Sequence, residues 1–235
     1  MLVSFIVGEP ALLVKKERII LVSDLHLGIE ERLREKNFYF PQASKRMGEK
    51  LFDIYKKHKA KEIILLGDIK ESIGYPTLSE YKDMEDFFNE LGGVRLRVTK
   101  GNHDAHIDKI FERLGINVEV SREILLKDIA LMHGNSLPSE EAMEKKMLVT
   151  GHGHASTNIN GNYEKVWVVV KKRRGTPELV IMPPFNTLIL GSDISENFAK
   201  HMPVLRTALF DLEKAEICNL DGEILRRMGR NSNII

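Results

Sequence analysis

The sequence predicts an α/β fold in which helices alternate with buried strands, followed by a second sheet with more antiparallel pairing. Three observations carry this expectation. Five short runs rich in Val, Ile and Leu lie between residues 18 and 154. Helical periodicity fills several of the gaps between them. After residue 160, strand-like runs follow one another with only turns between. Short, continuously apolar runs read as strands buried on both faces. Strands alternating with helices argue for a layered α/β architecture.

The elements follow in order. The apolar N-terminus "MLVSFIVGEP" has no basic leader and no small-residue cleavage site, so it reads as a strand. The five runs are "RIILVSD" (18–24), "EIILLGD" (62–68), "VRLRVTKGN" (94–102), "IALMHGN" (129–135) and "MLVTGHGH" (147–154). "NFYFPQ" (37–42) carries three aromatics before a proline. Packing against the following helix is the expectation, a lip beside the substrate the alternative. That helix is "QASKRMGEKLFDIYKKH", with Met47, Leu51, Ile54 and Tyr55 at helical spacing. In "TLSEYKDMEDFFNELGG", Leu78, Tyr81, Met84, Phe88 and Leu91 repeat the pattern. Thr77 and Glu80 form a capping-box pair and Gly92 a stop. "HIDKIFERLG" is a third short helix, with Ile107, Ile110 and Leu114 on one face. Later, "KVWVVVKKRR", "ELVIMPP", "TLILG", "RTALFDLE" and "AEICNLDGEIL" read as strands.

Size and composition narrow the class. The chain has 235 residues, 43% hydrophobic and 29% charged, which fits a single domain over 1–235 with a sizeable core. No apolar run approaches the ~20 residues a bilayer span needs, so no membrane partner is expected. A single cysteine, Cys218, precludes an intrachain disulfide and fits a reducing cytoplasm. The formal net charge of +1 gives no global basic field for nucleic acid. The local cluster "KKRRG" (171–175) reads as a solvated hairpin tip, with a phosphate-backbone contact as the alternative.

Each of the five runs ends in residues able to bind a metal. These are Asp24 then His26, Asp68, Asn102 then His103, His133, and His152 then His154. An isolated His-x-His could be two surface histidines in a loop, although imidazole is the commonest protein metal ligand. Five strand ends offering carboxylate, amide and imidazole are a different matter. In open α/β sheets the functional crevice lies outside the carboxyl ends of the strands, so the five ends are expected to share one rim.

The blocks Asp24-Leu-His26, Gly67-Asp68, Gly101-Asn102-His103-Asp104, His133-Gly134 and Gly151-His152-Gly153-His154 resemble, in order, the signature of the calcineurin-like metallophosphoesterase superfamily. "SDLHLG", "GDIKES", "GNHD" and the late "MPPFNTLILG" are similar to the SbcD-related, ICC-like phosphoesterases of archaea and bacteria. The protein Ser/Thr phosphatases of the superfamily carry an Asp-Arg-Gly segment after the Gly-Asp. Here "GDIKESIG" has no arginine, which argues against that branch.

The resemblance implies a four-layer α/β/β/α sandwich of two mixed sheets, consistent with a second sheet after residue 160. It implies a first metal held by Asp24, His26, Asp68 and His154. A second would be held by Asp68, Asn102, His133 and His152. Asp68 is shared because a carboxylate has two oxygens, and such pairs of ions sit ~3.5–4 Å apart. The pair would polarise a phosphoryl group and acidify a water for in-line attack. A mixed nitrogen and oxygen ligand set suits Mn²⁺, Fe or Zn²⁺ and does not choose among them; from the resemblance Mn²⁺ is the first expectation, with Fe, Zn²⁺ or Ni²⁺ as alternatives. His103 would bond the phosphoryl group or protonate the leaving oxygen. Asn102 and Lys70 are further candidate substrate contacts. Asp104 either orients His103 or is a loop carboxylate in water. His106 is a weaker substrate candidate, His58 reads as a solvated helix end, and His201 reads as a loop residue.

The expected activity is phosphodiester hydrolysis. SbcD-type cleavage of DNA and phosphomonoester hydrolysis are the enzymatic alternatives. A binding module without metals, as in the retromer subunit of this fold, is a different class; such proteins lose ligands, and here every ligand position matches. A phosphoester is the expected partner, nucleic acid and a second copy of the chain being alternatives.

Overall fold

The computed structural model describes residues 2–171, 175–194, 198–207 and 209–229. The first sheet contains β1 (Val3–Phe5), β2 (Leu12–Val14), β3 (Ile19–Val22), β4 (Glu62–Leu66), β5 (Leu96–Thr99) and β6 (Glu119–Ser121), in that spatial order. Its first three strands pair antiparallel and β3 to β6 pair parallel. The parallel crossovers carry α1 (Ile29–Glu35), α2 (Ala43–Lys57), α3 (Leu78–Glu90) and α4 (Ile107–Arg113).

The second sheet begins with β7 (Glu123–Leu125), β8 (Ile129–Met132) and β9 (Met147–Thr150). After the small strands β10 (Ala155–Ile159) and β11 (Asn162–Lys165), it takes up β12 (Trp167–Val170) and β13 (Glu178–Ile181). It is completed, after β14 (Ser192–Asp193), by β15 (Ala215–Cys218) and β16 (Ile224–Arg227). Both large sheets are mixed, and α5 (Glu140–Glu144) and α6 (Phe198–His201) belong to the outer side of the second.

The central strands are continuously apolar because they have no solvent face. Ile20, Val22, Ile63 and Leu65 pack under the helices, in one cluster with Met47, Leu51, Met84 and Phe87. Their alternating neighbours Ile19, Leu21, Ile64 and Leu66 meet Leu131, Val149, Trp167 and Val169 of the second sheet. On the far side, Ala130, Met132, Leu148 and Val168 pack against Phe198 and Met202. Helices, two sheets and helices thus stack in four layers, as expected. Burying each such aliphatic side chain contributes roughly 1.5–3 kcal/mol.

Several expectations change. The second sheet starts at β7, not after residue 160, because β8 and β9 belong to it. "TLILG" forms turns rather than a strand, and "RTALFDLE" contributes 3₁₀ turns at 203–206 and 212–214. Leu78 points to water at 82% exposure, and Phe87 takes its place in the core. The 37–42 aromatics do not pack on α2: Phe38, Tyr39 and Phe40 are 58%, 72% and 37% exposed. The basic tip 172–174 lies outside the described residues. Thr77 does cap α3, accepting from the Glu80 amide at 3.1 Å. Glu80 completes no box; its carboxylate turns to the Ser72 amide at 2.9 Å.

Candidate functional site

The two sheets bring their ligand-bearing ends together. Beyond β3 and β4 the parallel pairing continues through the loops, with Asp24 N–H donating to Gly67 O at 3.1 Å and His26 N–H to Asp68 O at 2.9 Å. Asp24 and His26 from β3, Asp68 from β4 and His154 from the second sheet therefore converge. Each offers a ligand atom, all within 4.8 Å of one another. Asp68, His133 and His152 form a second group under the same limit. Asp68 belongs to both groups. Asn102 stands exposed on the loop after β5. It follows Gly101, which packs so tightly that an added Cβ would lie 2.2 Å from Asp68 Oδ1.

The backbone of these turns is unusual. Asp24, His26, Asp68, His152 and His154 all have φ between 42° and 66°. Non-glycine residues adopt this left-handed region rarely, at a cost of order 1–3 kcal/mol each, and persist there where the surroundings over-determine them.

The donor set calls for a balancing charge. His133 Nδ1 lies 2.8 Å from Leu66 O, so that nitrogen carries the proton and Nε2 is the lone pair. That Nε2 faces Asp68 Oδ2 at 3.2 Å and His152 Nδ1 at 3.1 Å. His26 Nδ1 is held by Glu71 Oε2 at 2.9 Å, and its Nε2 meets His154 Nε2 at 3.2 Å. His154 Nε2 in turn lies 3.0 Å from Asp24 Oδ1. Lone pairs aimed at lone pairs and carboxylates need a positive charge between them, either protons or metal ions. The residues fit divalent cations.

The titration behaviour agrees. Burial opposes the charge of Asp24, but the charge and hydrogen bond of His154 and the charge of His133 outweigh it and hold the carboxyl below its ordinary range. Asp68 is likewise held below its ordinary range: burial again opposes, and His133, the His103 amide at 2.9 Å and His26 prevail. Burial also works against a charged His133, yet the Asp68 hydrogen bond and charge raise it to about 9. His152, buried beside that charge, falls to about 4 and stays a neutral imidazole.

A pH dependence follows. The His133 proton stabilises the metal-free fold fully below pH 6.5, its ordinary value, and that contribution disappears as pH rises through about 9. A cation competes for the same Nε2. Between pH 6.5 and 9 the metal-free chain should lose thermal stability while Mn²⁺ affinity rises, by up to about tenfold per pH unit. Thermal midpoints and Mn²⁺ titrations at three pH values check this; a flat affinity would remove His133 from the ligand set.

His103 lies beside the first group. Its Nδ1 contacts Glu71 O at 2.5 Å, and its ring meets His26 edge-on at 4.9 Å. A proton on Nδ1 donated to that carbonyl leaves Nε2 turned away from Glu71. Two other expected residues are placed differently. Lys70 is fully buried, its ammonium donating to the carbonyls of Ser72, Gly74 at 2.7 Å and His103 at 2.6 Å. An ammonium has three protons, so Lys70 knots the loop and does not face a phosphate. Asp104 neither orients the His103 ring nor sits in water. It is fully buried, and its oxygens accept from Ile69 N–H and Gly101 N–H, both at 2.8 Å. At one residue past His103 it points under the loop and ties the Asp68 turn to the Gly101 turn.

Glu71 is the residue that sequence reasoning missed. Its carboxylate grips His26 Nδ1 and also pairs with Arg32 of α1. Carboxylates commonly hold the outer nitrogen of a ligating histidine. His26, Glu71 and His103 also fall within 4.8 Å of one another, but Glu71 faces the nitrogen turned away from the metal-type cluster. Only its place three residues past Asp68 hinted at it.

Residues 18–171 match the model of the calcineurin-like phosphoesterase superfamily domain, well over half the chain. The chain belongs to that superfamily. It is accordingly a metal-dependent phosphoesterase, a hydrolase of phosphoric esters. Among solved structures, the phosphoesterase shares its fold with the nuclease MPE of Pseudomonas putida. That match has a TM-score of 0.64 at 16% identity and covers 92% of this chain and 91% of that one. YfcE, a phosphoesterase from E. coli, matches at 17% identity over 88% of this chain and 96% of its own, with a TM-score of 0.44. No curated protein sequence matches. Among the described residues, no helix is long and apolar enough to cross a membrane.

Proposed function

We propose that the chain acts over residues 1–235 as one domain, a two-metal phosphodiesterase. The observation that carries this is the pair of His/Asp groups sharing Asp68, with the His103 ring against one of them. Asp24, His26, Asp68 and His154 hold one cation; Asp68, Asn102, His133 and His152 hold the other. Mn²⁺ is the first choice. Two bound cations supply Lewis-acid polarisation of the phosphoryl group and lower the pKa of a water. The residues do the rest. Glu71 and the Leu66 carbonyl fix the tautomers of His26 and His133, so that neutral nitrogens face inward. The Glu71 carbonyl accepts the Nδ1 proton of His103 and so orients the ring; with a second proton on Nε2, His103 acts as an imidazolium that gives that proton to the departing oxygen and is left as the neutral Nδ1–H tautomer. Asn102 supplies an uncharged amide at the exposed side.

Diesters fit better than monoesters because a monoester dianion is usually gripped by arginine forks. Lys70 is committed to carbonyls, and Arg32 to Glu71. With matched aryl esters, the same leaving group and Mn²⁺, kcat/KM should favour the diester by about tenfold or more. A tenfold preference for the monoester would reject diester specificity and leave the two-metal assignment standing.

A nuclease reading has one feature in its favour. Exposed Tyr75 stacks face to face on exposed His106, with centroids 4.3 Å apart and planes 3° from parallel. Lys70 ties Gly74, beside Tyr75, to the His103 carbonyl. Nucleic-acid bases stack on such rings. Cleavage of single-stranded DNA faster than of a simple aryl diester would favour this reading.

A further inference from the structure

The stretch "MPPFN", residues 182–186, has no role in the metal groups. The chain leaves β13 at Ile181 and crosses the ligand-bearing ends of both sheets. On the second sheet, Met182 N–H donates to Thr150 O at 2.7 Å. On the first, Phe185 N–H donates to Ser23 O at 2.8 Å and Asn186 Nδ2 to Leu25 O at 2.6 Å. Ser23 and Leu25 flank Asp24, and Thr150 lies two residues before His152. One short loop therefore touches the backbone beside the metal-type side chains of both sheets.

The loop is built to be stiff. Pro183 and Pro184 have fixed φ and no amide to satisfy. Asn186 is 1% exposed, and its Oδ1 accepts from Leu188 N–H at 2.9 Å. From outside, Lys165 at the end of β11 donates to Pro184 O at 2.7 Å and Asn186 O at 2.6 Å. The Asp24 to His26 turn places two non-glycine residues in the left-handed region, and Leu25 between them is fully buried. A buried carbonyl without a donor is costly, and strained turns persist only where neighbours hold them.

We propose that Asn186 and Lys165 are positioning residues. Asn186 bonds the strained turn directly, Lys165 clamps the loop that carries Asn186, and together they hold Asp24 and His26 for the first cation. This rests on the reading of Asp24 and His26 as ligands.

The test uses the full chain as wild type, Asn186→Ala, Lys165→Met and Lys165→Arg. Hydrogen exchange on metal-free protein compares the peptide spanning 23–27 with that spanning 129–135. Mn²⁺ titration counts and ranks the two cations. Asn186→Ala and Lys165→Met should speed exchange in 23–27 by about tenfold and leave 129–135 unchanged. They should weaken one Mn²⁺ by about 10–100-fold, as loss of outer partners does, and spare the other. Lys165→Arg can still bridge two carbonyls and should behave as wild type. Equal change in both peptides and both cations means general destabilisation and overturns the proposal; so does no change in either. If Asn186→Ala does not fold, the Lys165 pair decides. If wild type binds no Mn²⁺, the metal reading fails, and the exchange comparison still decides whether the loop braces the turn.

Discussion

Asp68→Asn should remove more activity than loss of any other single ligand, by about a thousandfold or more. Asp68 is the one residue common to both groups that could hold a cation. Asparagine preserves shape and can still accept from the His103 amide, which lies 2.9 Å from Oδ1. It removes the negative charge common to both groups and leaves His133 Nε2 facing an amide instead of a carboxylate. A thousandfold corresponds to ~4 kcal/mol of transition-state stabilisation, within the several kcal/mol attributable to metal ions. His154→Ala is the comparison, because His154 belongs to one group alone. Metal content and turnover are measured together for both variants. Retention of two cations with near-normal turnover in Asp68→Asn would end the bridging assignment.

His103→Ala should leave metal content intact and slow turnover by ~10²–10⁴-fold, the usual worth of a positioned acid. The ring is oriented by the Glu71 carbonyl and contributes nothing to the two groups that share Asp68. The loss should shrink as the leaving group becomes more acidic, since a good leaving group departs without a proton. A series of aryl diesters of graded leaving-group pKa makes the measurement. A loss that is the same across the series points to electrostatic stabilisation of the phosphoryl group, and an unchanged rate removes His103 from the reaction.

Much of the fold and most of the candidate site are legible in the sequence. The ligand types are visible because each closes an apolar run, and the runs are visible because strands buried on both faces have no polar alternation. Leu21 and Ile20 show the cost of that clarity. One faces the second sheet and the other faces the helices, yet both are equally apolar. For the same reason nothing in "IALMHGN" or "MLVTGHGH" tells which sheet receives it.

By itself, then, the sequence determined the five strands that end in these residues, most of the helical faces and the order of carboxylate, amide and imidazole at the strand ends. These depend on local periodicity and on residue chemistry, which are properties of the chain alone. The tertiary structure decided the rest. It joined three strand ends of one sheet to two of the other, and bent Asp24, His26, Asp68, His152 and His154 through left-handed turns. It also turned Lys70 and Asp104 inward as loop ties and brought Glu71 to His26. The Lys70 and Asp104 ties depend on which backbone carbonyls and amides are left unpaired where strands end, and the Glu71 contact on a ring nitrogen of His26. Distant segments supply the partners for those groups, and only packing sets how near those segments come.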